Sequence, residues 1–411
     1  LITKQVTQVV IIGAGPSGSV AAALLHQHNI KVMVIEKSVF PRFSIGESLL
    51  PACMEVIEQA NMLDAVNKSD FQLKNGAAFH RNGHFTEFDF NDKFTPGIGT
   101  TFQVQRANFD KVLADQAQKQ GVDIFYQHEV IALNLENKPL LTVLDEHKQP
   151  YQIAADFVLD ASGFGRVLPR LLDLELPSTL APRKAIFTHI QDNISSTAFD
   201  RNKILISVHP DDPEVWYWLI PFSNGSCSLG VVAKAEFLEK YPQDNNQALQ
   251  QLVNEEKNLK EVLANALYPN PSGEIIGYSA NVKQLCSDKF ALLGNAGEFL
   301  DPVFSSGVTI ALKSAQFASE TLVKQLSGEE VDWQKDYQER LMVGVNTFRC
   351  YVEGWYTGEL QRVILHPNPN PKIKRMICAI LAGYAWDINN PFVTQPYRRL
   401  KAVAELCKQE G

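Results

Sequence analysis

Three glycines and an acid at fixed spacing, Gly13, Gly15, Gly18 and then Glu36, are the residues whose types and separation most directly state a chemistry. An apolar run at 7–12, which reads as a strand buried on both faces, enters the glycines, and a small-residue, helix-compatible stretch at 17–26 leaves them. In such a unit Gly13 makes the tight turn, Gly15 lets a pyrophosphate approach the backbone, and Gly18 lets helix and strand pack closely. The helix N-terminus then offers free N–H groups and its dipole to phosphate. Glu36 lies 23 positions after Gly13, at the end of a second strand-like run at 31–35, where it would accept from a ribose 2′-hydroxyl. The chemistry implied is dinucleotide binding, with FAD and a nicotinamide both open.

Other reactive residue types fall away on spacing. His26 and His28 are two apart on a helix and share no face, while His80 and His84 flank a hairpin turn at Asn82-Gly83, so neither pair suits a metal. Ser48 and Ser162 lack the GxSxG elbow of a hydrolase nucleophile. The six cysteines are far apart with no CxxC pair, and read as reduced thiols. Arg42 and Arg106 either face the pyrophosphate or pair with neighbouring acids on the surface. Trp216 and Trp218 alternate on a strand and therefore point to one face, either as the wall of a site or as core.

The elements that must position these residues are interleaved. Helical patterns are expected at 52–65 and 105–121, strands at 76–90 and 122–133, then a hairpin to 153 and a short strand at 157–159 running into Asp-Ala-Ser-Gly at 160–163. Strand signals follow at 185–191, 203–209, 216–222 and 227–233, with a helix around 246–267. A last buried strand at 290–293 enters Gly-Asn-Ala-Gly, and helices follow from about 307 to the end, punctuated by HPNPNP at 366–371. The nucleotide pieces thus bracket a β-rich insertion, which favours a flavin held across the chain over a contiguous nicotinamide domain. The expected fold class is α/β: an FAD-binding Rossmann-like domain from 1–75, 100–182 and 286–330, an interleaved β-sheet substrate domain from 76–99 and 183–285, and C-terminal helices from 331–411.

With 411 residues, 45% of them hydrophobic, the chain can bury a large core. Its formal charge of −8 argues against nucleic acid as a partner and favours a small, aromatic or apolar substrate. No run of 18 apolar residues occurs and the sequence opens into a core strand, so no transmembrane segment is expected and the location expected is cytoplasmic.

Several separated motifs make the chain resemble the FAD-dependent monooxygenases of the p-hydroxybenzoate hydroxylase type, within which it is most similar to the flavin-dependent halogenase and geranylgeranyl reductase branch. They are GAGPSG with Glu36, PRFSIGESLLP at 41–51, QVQRANFDKVL at 103–113, DASG at 160–163 and GNAGEFLDPVFSSGV at 294–308. The resemblance implies FAD as cofactor, held by Gly13, Gly15, Pro16, Ser17 and Gly18, by Glu36, Lys37, Arg42, Ser48 and Arg106, and by Ala161, Ser162 and Gly163. Gly294, Asn295, Ala296, Pro302, Ser306, Gly307 and Val308 complete that implied set. Gly294 and Gly297 permit close backbone approach, and Asn295, where the family usually has Asp, still offers hydrogen bonds to a ribityl hydroxyl or phosphate.

Three features resemble the halogenases in particular. WYWLIP at 216–221 matches Trp-x-Trp-x-Ile-Pro; Phe299, Pro302, Ser305 and Gly307 match Phe-x-x-Pro-x-x-Ser-x-Gly; and Lys74 resembles the lysine that holds or transmits hypohalous acid. A lysine suits this because its ammonium polarises HOX, or its amine forms a haloamine if burial lowers its pKa. Phe304 stands where tryptophan halogenases carry Glu, which disfavours that substrate and leaves phenol- and pyrrole-type relatives. The implied activity is halogenation of an electron-rich aromatic, with chloride or bromide near Ser305, Ser306 and Gly307, Trp216 and Trp218 near the substrate, and reducing power from a flavin reductase or NAD(P)H. Aromatic hydroxylation, a geranylgeranyl reductase-like dehydrogenation and a non-catalytic flavin-binding role stay open as alternatives.

Overall fold

The structure, a computed structural model, describes residues 4–195, 197 and 199–410. Residues 1–3, 196, 198 and 411, which belong to the expected segments 1–75, 183–285 and 331–411, lie outside the described residues.

A parallel sheet forms from the runs that read as buried on both faces. Its order is Phe290–Leu292, Phe157–Asp160, Val9–Ile12, Val32–Glu36 and Asp123–Tyr126, so the strand entering the glycine loop sits in the centre. Helices Pro16–His26 and Ser306–Leu326 lie against each other, and Arg106–Lys119 borders the first. Small residues on Pro16–His26, including Ala21, Ala22 and Ala23, are fully buried and allow that close approach. The ends of three strands from distant parts of the sequence therefore meet at one edge: Ile12, Asp160 and Leu292 each run into a glycine-containing turn.

The second large sheet has seven strands, ordered Gly273–Ile276, Lys184–Gln191, Ser226–Ala233, Trp216–Pro221, Lys203–Val208, Gly76–Arg81 and His84–Asp89. Every residue of Trp216–Pro221 is buried, because both faces are covered. Trp216, Trp218 and Ile220 face the main core, whereas Tyr217 and Leu219 face a second core closed by helix Asn245–Glu255 through Leu249 and Leu252. A short antiparallel pair, Gln72–Lys74 with Thr101–Gln103, links the two regions and sets Lys74 opposite Thr101. The C-terminal helices, including Arg340–Tyr356 and Pro371–Leu381, bury Trp355, Tyr351 and Ile377 against the rest.

Three expected elements are each divided. The helix at 52–65 is Pro51–Gln59 and Leu63–Asn67, with Asn61 at φ 56° between them. The strand at 122–133 becomes Asp123–Tyr126 in the parallel sheet and Glu129–Asn134 in a four-stranded antiparallel sheet, with the chain turning at Gln127, φ 61°. The helix at 246–267 stops at Glu256, whose carboxylate accepts from the Asn258 and Leu259 N–H groups and so starts a second helix, Lys257–Val262. In each case one polar residue that leaves helical or extended geometry makes the break.

Candidate functional site

The glycine loop is built so that side chains would not fit. Gly13 has φ +98°, and a Cβ there would lie 2.6 Å from the Ala161 carbonyl oxygen; one on Gly18 would lie 1.9 Å from the Gly13 oxygen. Glu36, expected to reach a ribose, anchors this loop: its Oε2 accepts from Ala14 N–H at 2.8 Å and its Oε1 from Ser38 N–H at 2.7 Å. The N-terminal turn of Pro16–His26 presents Pro16 and Ser17 to an open cavity.

The other loops close around the same cavity. Asp160, fully buried, accepts from Ser162 and Leu168 N–H groups and so shapes the turn that brings Gly163 and Phe164 to the wall. Burial raises its pKa, against the hydrogen bonds from Ser162 and Leu168. Gly294, at φ +52°, lies against Ala311, and Asn295 lines the cavity while Arg166 holds its carbonyl. Pro302, Ser305, Gly307 and Val308 line it as well, with Ser305 at φ 57° turning the chain into helix Ser306–Leu326. Ser306 and Ala296 are buried behind the wall.

Both arginines pair with an acid, and that acid is buried rather than on the surface. Fully buried Asp110 accepts from Arg106 Nε at 2.7 Å and Nη2 at 3.1 Å and from Arg42 Nη1 at 3.2 Å. Arg106 also donates to the Ile45 carbonyl and lines the cavity, and Arg42 Nη2 lies 3.5 Å from where a Gly15 Cβ would stand. Lys37 is not brought to this site; it is 71% exposed and pairs with Glu129.

At the other end Trp216, Trp218 and Ile220 form an aromatic and apolar wall with Phe299 and Tyr278. Trp218 Nε1 donates to Ser228 Oγ, and Trp216 Nε1 donates to Tyr356 Oη, whose own hydroxyl donates to buried Asp301 at 2.8 Å. Lys74 stands behind Ser48. Its side chain is fully buried and Nζ donates to Ser48 Oγ at 2.7 Å and to the Leu49 carbonyl at 2.8 Å, while Ser48 itself lines the cavity. Burial pushes the Lys74 amine down to about 7, against a smaller opposing effect of Cys53.

Glu47, Tyr278 and Asp301 were missed in the sequence. Glu47 sits inside the GESLLP run, where an acid beside Ser48 is the signal, and Asp301 sits inside GNAGEFLDPVFSSGV; nothing local marks Tyr278.

The chain matches the FAD binding domain family over residues 6–341. It belongs to that family. This FAD-binding protein is 29% identical to a 1H-pyrrole-2-carbonyl-[peptidyl-carrier protein] chlorinase from Pseudomonas fluorescens, over 97% of this chain and 93% of that one. It also resembles a solved flavoprotein/dehydrogenase from Cytophaga hutchinsonii, at TM-score 0.95 and 42% identity, covering 99% of this chain and 100% of the other. The flavin-dependent brominase Bmp2, 23% identical with TM-score 0.85 over 98% of this chain and 100% of its own, shares the fold. FAD is the cofactor, and the protein is a halogenase-like flavoprotein oxidoreductase. No described helix is long and apolar enough to cross a membrane.

The residues present suit FAD on structural grounds alone. Two glycines crowd any side chain out of the phosphate loop, a helix N-terminus and Arg106 meet at the cavity, and three strand-end loops converge there.

Proposed function

We propose that this protein halogenates an electron-rich aromatic small molecule, with Lys74 governing transfer of the halogen. The observation that carries this reading is a fully buried lysine whose amine is one hydrogen bond from an aromatic-walled cavity shared with the flavin loops. A buried lysine without a function is uncommon, since the desolvation cost is large. Bound FAD, when reduced, would supply two electrons to dioxygen, and the oxygen so activated would take two more from the halide. The protein's own residues do the rest.

The phosphate end is held by the 13–18 loop and the Arg42–Asp110–Arg106 clamp. The backbone N–H groups at the start of Ser306–Leu326, after the turn at Ser305, offer an anion-attracting helix terminus to chloride or bromide. The apolar wall of Trp216, Trp218, Ile220 and Phe299 excludes water, so that an oxidised halogen meets substrate rather than solvent. Ser48 Oγ accepts the Lys74 proton in its hydrogen bond and presents its own hydroxyl to the cavity, which makes it the point where an oxidised halogen species is held within reach of the amine. Near pH 7 a substantial share of that amine is neutral and nucleophilic.

A purified protein supplied with FAD, a reductase with NAD(P)H, dioxygen and bromide, and a panel of phenols and pyrroles, free and carrier-bound, tests this. Bromide-dependent mass increases of one halogen are expected. Hydroxylated products without halide dependence would reject halogenation, and unchanged halogenation by Lys74→Ala would reject the role of the lysine.

A further inference from the structure

One acid faces the cavity and plays no part in the reading above. Glu47 is buried, lines the cavity next to Ser48, and its Oε1 lies 2.6 Å from His189 Nε2. His189 comes from the seven-stranded sheet, on strand Lys184–Gln191, and shares a face with Ala185, which also lines the cavity. Its ring is clasped by Phe43 and Phe222 at centroid distances of 5.9 and 5.3 Å, yet its side chain keeps 24% exposure. The pair thus spans from solvent to the cavity wall, with Glu47 at the inner end.

We propose that Glu47 and His189 are the proton inlet of this site. His189 exchanges a proton with solvent at its exposed edge, and Glu47 passes it to the oxygen being reduced inside the cavity. The inference rests on the halogenase reading, whose balance demands such a supply. An aromatic C–H, dioxygen, a halide ion, reduced flavin and one further proton give the aryl halide, oxidised flavin and two waters. Dioxygen takes four electrons, two from the flavin and two from the halide, and needs four protons. The flavin gives two of these and the ring C–H one. The fourth comes from solvent, into a cavity whose aromatic wall otherwise keeps solvent out.

The charged surroundings are compatible with a relay. Arg106, paired with Asp110, donates to the Ile45 carbonyl, Lys74 stands behind Ser48, and Arg201 pairs with Asp192 and holds the Phe222 carbonyl. Glu47 is the charged group in direct contact with the His189 ring among the described residues. Burial lowers the His189 pKa, but the hydrogen bond and charge of Glu47 outweigh it and leave a net rise, so the imidazole holds its proton more tightly than an ordinary histidine.

Two measurements on the full chain test the inlet. In the first, carbon-13 histidine-labelled protein is titrated by NMR, with the His189 resonance identified by its loss in His189→Gln. Titration above the usual range in wild type and a fall in Glu47→Gln are expected; a His189 titration unmoved by Glu47→Gln overturns the dyad. In the second, bromination is followed against pH. Glu47→Gln is expected to lower kcat about 100-fold and to remove the basic limb set by His189, with FAD affinity unchanged, while Glu47→Asp keeps the limb at reduced rate. A Glu47→Gln protein with wild-type kcat and pH profile overturns the inlet and leaves halogenation standing. Absence of any halogenated product from wild type overturns the functional reading and the inlet with it, while the NMR titration still reports whether the pair exists.

Discussion

Lys74 Nζ donates to Ser48 Oγ across 2.7 Å, and of these two residues the serine lines the cavity. In the proposed reaction the amine is therefore a reagent stored behind a hydroxyl. Its position follows from pairing: Gln72–Lys74 runs antiparallel to Thr101–Gln103, and Ser48 bridges to Gln103, so one small ladder fixes both ends of the hydrogen bond.

Removing the amine should separate chemistry from cofactor binding. Lys74→Met is expected to lower halogenation at least about 100-fold while leaving the affinity for FAD, read from flavin fluorescence quenching, within about twofold. Replacing a buried cation by an apolar side chain of similar length is often neutral or stabilising, so the melting temperature should not fall. A folded Lys74→Met protein that halogenates at the wild-type rate would reject the assignment.

The same buried amine makes stability depend on pH with a definite sign. In the unfolded chain a lysine titrates near 10.4, whereas in the folded protein burial pushes Lys74 down to about 7. Between those values the unfolded state binds the extra proton, so stability rises with pH. Urea unfolding of wild type at pH 7 and pH 9, each referenced to Lys74→Met at the same pH, should show wild type gaining about 2 kcal/mol over that interval. No relative gain would place the folded-state pKa near its ordinary value.

How much of this was legible beforehand depended on whether a residue's role was local. The turn at Gly13, Gly15 and Gly18 is written in one short stretch, and the period-2 pattern put Trp216 and Trp218 on one face, as found. His189 and Glu47 are 142 positions apart, on separate elements, and no spacing rule connects them. Lys37 shows the opposite failure: it adjoins Glu36 in sequence, but its alternate direction on leaving the strand carries it out to Glu129. Breaks at Asn61, Gln127 and Glu256 were invisible to a hydrophobic pattern because each depends on one polar residue's backbone geometry or capping.

The aromatic wall rests on a glycine. A Cβ on Gly230 would lie 2.2 Å from the Trp218 ring, on the neighbouring strand where the two residues pair. Gly230→Ala must push that indole toward the cavity, at a stability cost of about 1–3 kcal/mol for overpacking. The expected signature is a raised KM for the aromatic substrate with FAD affinity unchanged, measured by steady-state kinetics and flavin titration. Equal KM values would mean that Trp218 does not border the substrate.

Asp110 ties together the proposed cofactor end, because among the described residues it joins Arg42 to Arg106 and has no exposure. Asp110→Asn keeps the shape but leaves two guanidinium groups facing an amide that can donate as well as accept, and breaking such a buried pair typically costs about 3–5 kcal/mol. Arg106 then loses its bidentate seat and keeps its bonds to the carbonyls of Ile45 and Gly46. If the two arginines serve the pyrophosphate through this clamp, FAD affinity should fall tenfold or more, on the order expected for losing one charge-assisted contact, and should become less sensitive to added salt. Titration of FAD at two ionic strengths decides between this and a purely structural ion pair, for which Asp110→Asn would lower the melting temperature while FAD affinity and its salt dependence stay as in wild type.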